Sequence, residues 1–214
     1  MARAHKPVTG TLSHRLATEA DIPALVSLMD LAITGPLADF LTPDQIAASR
    51  VLMGLDSQII ADRTYFIVEA GGVLAGCGGW SRRITTYGGD HTPGRAPAPL
   101  TPGVDAARVR AMYSHPHFLR RGIGRLVLDL CETAARDAGY DRMELVATLG
   151  GEPLYLAAGY LEIERFEDDR GGVPLPLVRM GKSFPSVPPG EGRDSDGNHC
   201  PRLGNTLPDP AVRV

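Results

Sequence analysis

The segment that most constrains this fold is a glycine turn between a strand-like run and an amphipathic helix, within residues 106–140. AARVRAMYS reads as a strand, GIG occupies positions 122–124, and Gly139 is a stop signal for the helix that follows. The helix has one apolar stripe, formed by Ile123, Leu126, Val127, Leu130, Cys131, Ala134 and Ala135. A strand that turns through glycine into such a helix leaves the first helical N–H groups unpaired at a point where a ligand can approach the backbone.

Three arginines surround this turn, at positions 120, 121 and 125. Unpaired N–H groups and nearby cations favour an anion, and three cations suit a diphosphate better than a single carboxylate. A solvated basic helix start is the alternative that the turn alone leaves open.

Two common phosphate-binding patterns do not fit the turn. A Walker loop requires Gly-Lys-Ser/Thr, which is missing. The dinucleotide fingerprint requires glycine at the position of Val127, and Glu144 opens a strand where the ribose-binding acid should end one.

The pattern RRGIGR after RAMYSHP resembles the signature of the GCN5-related N-acetyltransferase (GNAT) family, Gln/Arg-x-x-Gly-x-Gly/Ala. Gly122 and Gly124 fill its glycine positions, and Leu119 stands in the Gln/Arg position. The resemblance covers residues 12–182 in the order of elements and 106–167 in motif detail.

The resemblance implies an α/β (α+β) fold, with a central mixed, mostly antiparallel sheet of six to seven strands flanked by about four helices. It implies acetyl-CoA as co-substrate and no metal. The implied acetyl-CoA contacts are Met112, Tyr113, Ser114, Arg120, Arg121, Gly122, Ile123, Gly124, Arg125 and Thr148. The strand before the turn would splay at a bulge, so that backbone groups at 112–114 pair with the acetyl-pantetheine arm and can stabilise the oxyanion.

EPLYLAAGY resembles the family segment that carries the general acid, and places Tyr155 in that role. A phenol suits protonation of a leaving thiolate because the two pKa values lie within ~2 units. Without the resemblance, a tyrosine on a short apolar helix is more often a core residue. Thr148 replaces the asparagine found in many members, and Arg108 stands nearest to their strand glutamate.

With that glutamate missing, the base that deprotonates the acceptor amine is open. The candidate residues are Glu69, Asp90, His91 and His115. Each is also explained as a surface or turn residue, and a water chain to solvent is an equal alternative.

Substrate selection is expected in the variable parts. Strand alternation puts Arg108 and Arg110 on one face and Val109 and Ala111 on the other. If the arginines line the acceptor cleft, the acceptor carries a carboxylate or phosphate; solvated strand charges are the commoner explanation. Trp80 and Tyr87 flank the start of a long Gly/Pro loop at 84–105 and can cover an acceptor, although Trp80 is more readily a core residue.

The other elements have local signals. Residues 12–18 read as a strand, and 18–33 as a helix with Thr18 and Asp21 in capping-box positions. A second helix starts at Thr42, with Pro43 at its first position and Gln45 completing the box. The remaining predictions are a hairpin at 71–72, strands at 143–147 and 160–167, and a helix at 152–159.

The run VPLPLVRMGK at 173–182 is predicted to be a last edge strand, because its prolines argue against a central place. That edge is the expected interface of a possible homodimer. The predicted domains are an arm at 1–11, an acetyltransferase domain at 12–182 and a disordered Pro/Gly-rich tail at 183–214.

Composition narrows the class of protein. The chain has 214 residues, 43% of them hydrophobic, and a net charge of −3, so no nucleic-acid partner is expected. Three cysteines without a CxxC pair suggest neither disulfides nor zinc, but a reducing cytoplasm. No stretch is expected to approach the ~20 apolar residues of a membrane span, so no membrane partner is expected.

The sequence thus predicts an acetyl-CoA-dependent N-acetyltransferase acting on a primary amine of a small molecule by direct attack. The alternatives are a non-catalytic acyl-CoA-binding sensor or interaction module, and a protein or peptide N-acetyltransferase. Cys131 lies on the apolar stripe of the helix and Cys77 lies in a strand without an adjacent histidine, so neither suggests an acyl-enzyme.

Overall fold

The computed structural model describes residues 11–96 and 98–185, which form one mixed sheet with helices on both faces. The strands are β1 (Leu12–Leu16), β2 (Tyr65–Ala70), β3 (Val73–Ser81), β4 (Ala107–Ser114), β5 (Arg142–Thr148), β6 (Leu161–Asp168) and β7 (Leu175–Ser183). The α-helices are α1 (Ile22–Thr34), α2 (Pro43–Ser49), α3 (Ser57–Ala61), α4 (Ile123–Asp137) and α5 (Glu152–Ala157). The strand order is β1-β2-β3-β4-β5-β7-β6, and all neighbours are antiparallel except β4 and β5. The predicted fold class is confirmed.

Both predicted capping boxes are present at the N-terminal helices. The Thr18 backbone N–H and hydroxyl donate to Asp21 Oδ2 at 2.8 and 2.9 Å, and this box starts a 3-10 turn, Glu19–Asp21, that leads into α1. Thr42 Oγ1 accepts from the backbone N–H of Gln45 at 3.3 Å and opens α2. Short side chains at the cap therefore satisfy donors that a helix start leaves free.

Helix α4 and helices α1 to α3 cover opposite faces of the sheet, each over its own cluster of buried residues. The buried side of α4 includes Leu128 in addition to the predicted stripe, whose members Leu126 and Ala134 are only partly buried. Lys182 of β7 donates to the buried Glu132 of α4 at 2.7 Å, which ties this helix to the sheet.

The prediction that 173–182 forms an edge strand was wrong: β7 lies between β5 and β6. The prolines are tolerated because Pro174 precedes the strand and the ladder with β5 starts only at Leu177. Pro176 therefore lies outside the β5 ladder, where no N–H is needed on that side. The described sheet has β1 and β6 as its edges, so the interface expected for a homodimer is not available at β7.

One segment, Glu19–Asp39, has the length and hydropathy of a membrane span, with a mean hydropathy of 1.3 in its best window. The expectation that no stretch reaches this length was therefore wrong. Length and composition are weak evidence, since core helices of soluble proteins pass the same test. In the fold, α1 within this segment buries Leu25, Leu28, Met29 and Ile33 against the sheet.

The predicted arm and tail fall largely outside the described residues, in 1–10 and 186–214. The described chain runs slightly past the predicted domain end: β7 finishes at Ser183, and Phe184 is buried beneath the guanidinium of Arg136.

Candidate active site

The parallel strands β4 and β5 separate soon after they meet. They pair only at Ala107 with Met143 and at Arg108 with Glu144. Beyond these pairs a cavity of about 130 Å³ opens, walled by both strands. We call it the β4–β5 cavity; its other walls come from 52–54, 86–88, Gly151, Tyr155, Leu175 and Leu177.

A bulge in β4 shapes this opening. Cys77 of β3 pairs with Tyr113 of β4, and the next pair is Gly79 with Arg110. Between these two pairs β3 has one residue and β4 has two, so β4 contains one extra residue. Ala111 has a left-handed φ of +49°, and its carbonyl oxygen lies 2.8 Å from the Tyr65 hydroxyl, which donates to it. The bulge is thus fixed by a buried side chain as well as by the strand pairing.

The extra residue also changes which side chains share a face. Val109 and Met112 pack on the α4 side of the sheet, whereas Ala111 and Tyr113 pack on the opposite side. The prediction that Val109 and Ala111 share a face was wrong, because simple alternation fails at a bulge.

The end of β4 presents backbone groups to the gap. The N–H of His115 donates to Ala75 of β3 at 2.9 Å. Successive N–H groups of an extended strand point to opposite edges, so that of Ser114 points away from β3 and toward the gap. Met112 and Tyr113 line the β4–β5 cavity directly.

The predicted glycine turn starts α4. Gly122 is the N-cap residue with φ of +80°, and the first helical bond runs from Leu126 N–H to Gly122 O at 2.9 Å. The backbone N–H groups of residues 123–125 therefore have no acceptor within the helix, and no side chain caps them. A Cβ at Gly122 would meet nothing within 4 Å, which leaves open space above these donors.

Gly124 serves packing. A Cβ at this position would come within 3.0 Å of Leu154 Cδ2 on α5. The same position is 3.8 Å from Ser114 Oγ at the end of β4. Glycine therefore brings α4, α5 and the end of β4 together at one point.

The arginines of the turn lie at the surface. The guanidinium of Arg121 stacks on the Phe118 ring, 5.5 Å from its centroid. Arg125 Nε donates to Asp129 at 2.8 Å in an exposed pair that holds it weakly. Arg120 is exposed and has a left-handed φ of +60°, which completes the tight turn.

Tyr155 reaches the cavity from α5. Its side chain is buried, and its ring packs edge-on against Tyr160 at 5.9 Å. Within the described chain its hydroxyl has no hydrogen-bond partner. Burial raises the pKa of the Tyr155 phenol above its usual value, so the phenol holds its proton more tightly than a tyrosine in water does. Thr148 and Gly151 line the wall beside it.

Tyr87, which also lines the cavity, belongs to a loop clasp. We use this term for Tyr87, Asp168 and Arg170. The Tyr87 hydroxyl donates to Asp168 Oδ2 at 2.8 Å, and the Arg170 guanidinium lies over the Tyr87 ring, 5.0 Å from its centroid. Arg170 also donates to Asp168 at 2.6 Å and to the Pro93 carbonyl at 3.1 Å. The clasp thus joins the loop after β3 to the turn between β6 and β7.

Arg110 is an internal anchor. Its side chain is 2% exposed and pairs with the carboxylate of Asp56 at 2.7 Å. It also donates to the carbonyl oxygens of Thr85 and Gly88 at 2.8 and 2.5 Å. Arg108 pairs with Glu144 at 3.0 Å. Arg108 shares Glu144 with Arg179 and does not line the cavity, whereas Arg110 lines it with its guanidinium held by partners within the protein, which disfavours the hypothesis that these arginines hold an acceptor anion.

A family model described as "Acetyltransferase (GNAT) family" matches residues 31–160, which is more than half of the chain. The chain belongs to the GNAT family. Members of this family are N-acetyltransferases that use acetyl-CoA, so the resemblance carried by RRGIGR is confirmed. No curated protein sequence matches the chain.

Solved structures share the fold of this GNAT chain at low sequence identity. A GCN5-related N-acetyltransferase from Rhodopseudomonas palustris matches with a TM-score of 0.61 and 19% identity, covering 84% of this chain and 100% of that chain. The protein yncA from Salmonella typhimurium, solved with acetyl-CoA, matches with a TM-score of 0.55 and 16% identity, covering 83% and 96%. A ribosomal-protein-alanine N-acetyltransferase from Brucella melitensis matches with a TM-score of 0.55 and 20% identity, covering 80% and 99%.

None of the four candidate bases of this GNAT domain lines the β4–β5 cavity. Each forms hydrogen bonds elsewhere in the protein. Glu69 accepts from Arg15, and Asp90 accepts from the Ser57 N–H and from Arg95. The His91 ring contacts the Arg50 carbonyl, and the His115 ring accepts from the His117 N–H. Burial, and then the neighbouring His117, lowers the pKa of His115. The ionisable side chains of the described cavity wall are Arg110 and the three tyrosines 87, 113 and 155.

Three aromatic and sulfur groups have structural roles. Trp80 is 5% exposed and packs edge-on against Tyr140, so the core interpretation is confirmed. Cys77 and Cys131 are buried and unpaired, and burial raises the pKa of the Cys77 thiol to about 12.

Across the described ranges, no group of three or more His, Cys, Asp or Glu could hold a metal ion.

Sequence reasoning missed part of the site of this GNAT chain. The segment 52–54 and the Asp168–Arg170 part of the clasp were not anticipated, nor was Asp56. Asp56 had one readable signal, since it precedes SQII as a helix cap and accepts from Gln58 N–H at 3.2 Å. The other residues reach the site only through tertiary contacts.

Proposed function

We propose that this GNAT protein moves the acetyl group of acetyl-CoA to a primary amine of a small molecule by direct attack. The observation that carries this proposal is the β4–β5 cavity, which is lined by the Tyr155 phenol and by Tyr87 of the loop clasp. Both substrates would meet in this cavity.

The donor would lie from the glycine turn into the cavity. The free N–H groups of residues 123–125 and the arginines at 120, 121 and 125 suit the diphosphate of acetyl-CoA. The pantetheine arm would extend along the open edge of β4 at 112–114 and past Thr148. This arm would complete the interrupted pairing between β4 and β5.

The chemistry needs two proton transfers. The neutral amine attacks the thioester carbonyl, the C–S bond breaks, and Tyr155 donates its proton to the departing thiolate. The proton of the amine leaves through water, since the described wall offers no carboxylate or histidine. Transfer of the amine from water into the cavity removes hydration from its charged form, which lowers its pKa and favours the neutral form.

Direct attack is supported by the state of the cysteines. Cys77 is buried, and its thiol pKa of about 12 leaves almost no thiolate at neutral pH. Cys131 lies on the buried face of α4, where burial also raises its pKa. Neither provides the activated nucleophile that an acyl-enzyme requires.

A small acceptor is supported by the clasp. An extended peptide needs an open channel beyond the reacting amine, and Tyr87 on the cavity wall is held in place by Asp168 and Arg170. A protein or peptide acceptor is the alternative, and the Brucella melitensis neighbour carries a name of that kind.

One observation favours a non-catalytic acyl-CoA-binding module: the described cavity wall has no carboxylate or histidine base. Against it, a binding module has no use for a buried phenol that can protonate a thiolate. We also propose a cytoplasmic location, supported by the two unpaired cysteines, and leave a homodimer as a prediction without an assigned interface.

The test is release of free CoA from acetyl-CoA by the full chain, measured against small amines and short peptides. Turnover with small amines and not with peptides supports the proposal. Turnover with peptides alone would assign a peptide acetyltransferase. Tight acetyl-CoA binding without turnover on any acceptor would assign a binding module.

A further inference from the structure

We infer that the acceptor is an amine on an uncharged, largely apolar body, such as an alkyl or arylalkyl amine, without a carboxylate or phosphate. This inference rests on the proposed function and concerns the wall of the β4–β5 cavity. The apolar side chains that line the cavity include Leu52, Met53, Val146, Leu175 and Leu177.

The first argument is the state of the charge. Arg110 is the described cation of the cavity wall, and its terminal nitrogens already donate to Asp56, to the Thr85 carbonyl and to the Gly88 carbonyl. An acceptor anion could pair with Arg110 only by displacing one of these buried partners. A displaced carboxylate or carbonyl without a partner is costly, so the pair resists exchange.

The second argument is the state of the hydroxyl groups on the same wall. The Tyr87 hydroxyl donates to Asp168 at 2.8 Å, and the Tyr113 hydroxyl accepts from the Gly54 N–H at 2.9 Å. Thr86 Oγ1 lies 3.4 Å from the Ile84 carbonyl. The Tyr87 proton is therefore committed to Asp168 and is not free to solvate an acceptor carboxylate.

The third argument is desolvation. An ionised group buried without a partner loses its hydration and gains nothing in return, whereas an apolar body gains by contact with these leucines and Met53. The cavity therefore selects against charge on the acceptor body and for apolar contact area.

The experiment compares three matched acceptors with the full chain: phenethylamine, phenylalanine and phenylalanine amide. The amide keeps the branching of the amino acid and removes its negative charge. We expect phenethylamine and the amide to be acetylated with kcat/KM at least about 100-fold above phenylalanine. Tyramine, tyrosine and tyrosine amide repeat the comparison on a second ring.

Each other outcome overturns the inference. Equal or better turnover of phenylalanine shows that the site accepts a carboxylate, while the proposed function stands. Equally poor turnover of phenylalanine and its amide shows rejection by size and not by charge. If no amine or amide in either set releases CoA, the proposed function and this inference both fail.

A variant pair tests the same point from the side of the protein. Met53 lies on the cavity wall, is half-buried, and precedes Gly54 outside any helix or strand. Met53→Lys adds a cation to this wall, and Met53→Gln adds a polar group of similar length without charge. We expect only Met53→Lys to raise kcat/KM for phenylalanine relative to its amide, by at least about 10-fold. Equal ratios in the two variants would contradict the inference.

Discussion

Arg110 Nη2 lies 2.7 Å from Asp56 Oδ2, and neither side chain is more than 2% exposed. The pair joins the bulged strand β4 to the residue that caps α3, and Arg110 also holds two carbonyl groups of the loop after β3. One buried ion pair thus positions three elements around the β4–β5 cavity.

Asp56→Asn should reduce the free energy of unfolding by about 3–5 kcal/mol, because it leaves the buried Arg110 guanidinium without its anion and also removes one of the two carboxylates, Asp56 and Asp90, that pair with Arg95. Asparagine keeps an oxygen for the cap of α3, so the loss reports the charge and not the cap. Urea denaturation at pH 7 measures it. The double variant Asp56→Asn with Arg110→Met should lose less than Asp56→Asn alone, and an equal or larger loss would contradict the stated cause.

Tyr155→Phe should reduce kcat by about 100-fold or more and leave the dissociation constant of acetyl-CoA unchanged, since it removes a proton donor and no donor-binding group. Steady-state kinetics and calorimetric titration separate the two effects. Tyr160→Phe is the matched control, because this neighbouring hydroxyl interacts with Met143 Sδ at 3.9 Å and with Glu132, and Tyr160 does not line the cavity. Normal kcat in Tyr155→Phe would remove its role as the acid.

Acetyl-CoA and CoA should raise the melting temperature by several degrees at 100 times their dissociation constants, equivalent to ~2.7 kcal/mol, and ATP should not. Gly122→Asn and Gly122→Asp share the same φ of +80° and the same open space, and differ by one charge. The aspartate should weaken CoA binding about 10-fold more than the asparagine, by repulsion of the diphosphate. Equal affinities in the two variants would place the diphosphate elsewhere.

Asp168→Asn should cost about 2 kcal/mol of stability at pH 7 and raise the KM of the acceptor, because it weakens the loop clasp. Hydrogen bonds from Arg170 hold the pKa of Asp168 below its ordinary value, against an opposing effect of burial. A depressed folded-state pKa contributes stability above the unfolded value near ~3.9, and this contribution is lost as the pH falls further. The difference between wild type and variant should therefore shrink below about pH 4 in thermal unfolding. A pH-independent difference would point to packing alone.

Cys77→Ala and Cys131→Ala should each keep kcat within about threefold of the wild type, since direct attack uses no thiol. Initial velocities at varied acetyl-CoA and amine should give intersecting double-reciprocal lines. Parallel lines, together with loss of activity in either variant, would indicate an acyl-enzyme.

Local signals made part of this structure predictable from the sequence. The capping boxes at Thr18 and Thr42, the glycine turn at 122–124 and the helix stop at Gly139 each depend on residues close together in the chain. The interactions that form them lie within the segment itself, so these elements and the glycine turn follow from the sequence.

Long-range contacts made the rest unpredictable. Tyr87 and Asp168 are 81 residues apart in the chain, and no spacing rule links them. The bulge at Ala111 depends on the Tyr65 hydroxyl, and it reversed the expected face of one side chain. The central place of β7 was missed because Pro176 argues against it. The ladder between β7 and β5 starts at Leu177, one residue after this proline, so the missing N–H costs no bond to β5.

The short contact between β4 and β5 divides the sheet into two parts. One part contains β1 to β4, and the other contains β5, β7 and β6. They share a seam at Ala107 and Met143, and few backbone hydrogen bonds resist bending there. A pantetheine arm laid between the open ends would act as an eighth strand and stiffen the seam. While bound, the donor would therefore stabilise the relative position of the two parts of the sheet as well as serve as a reactant.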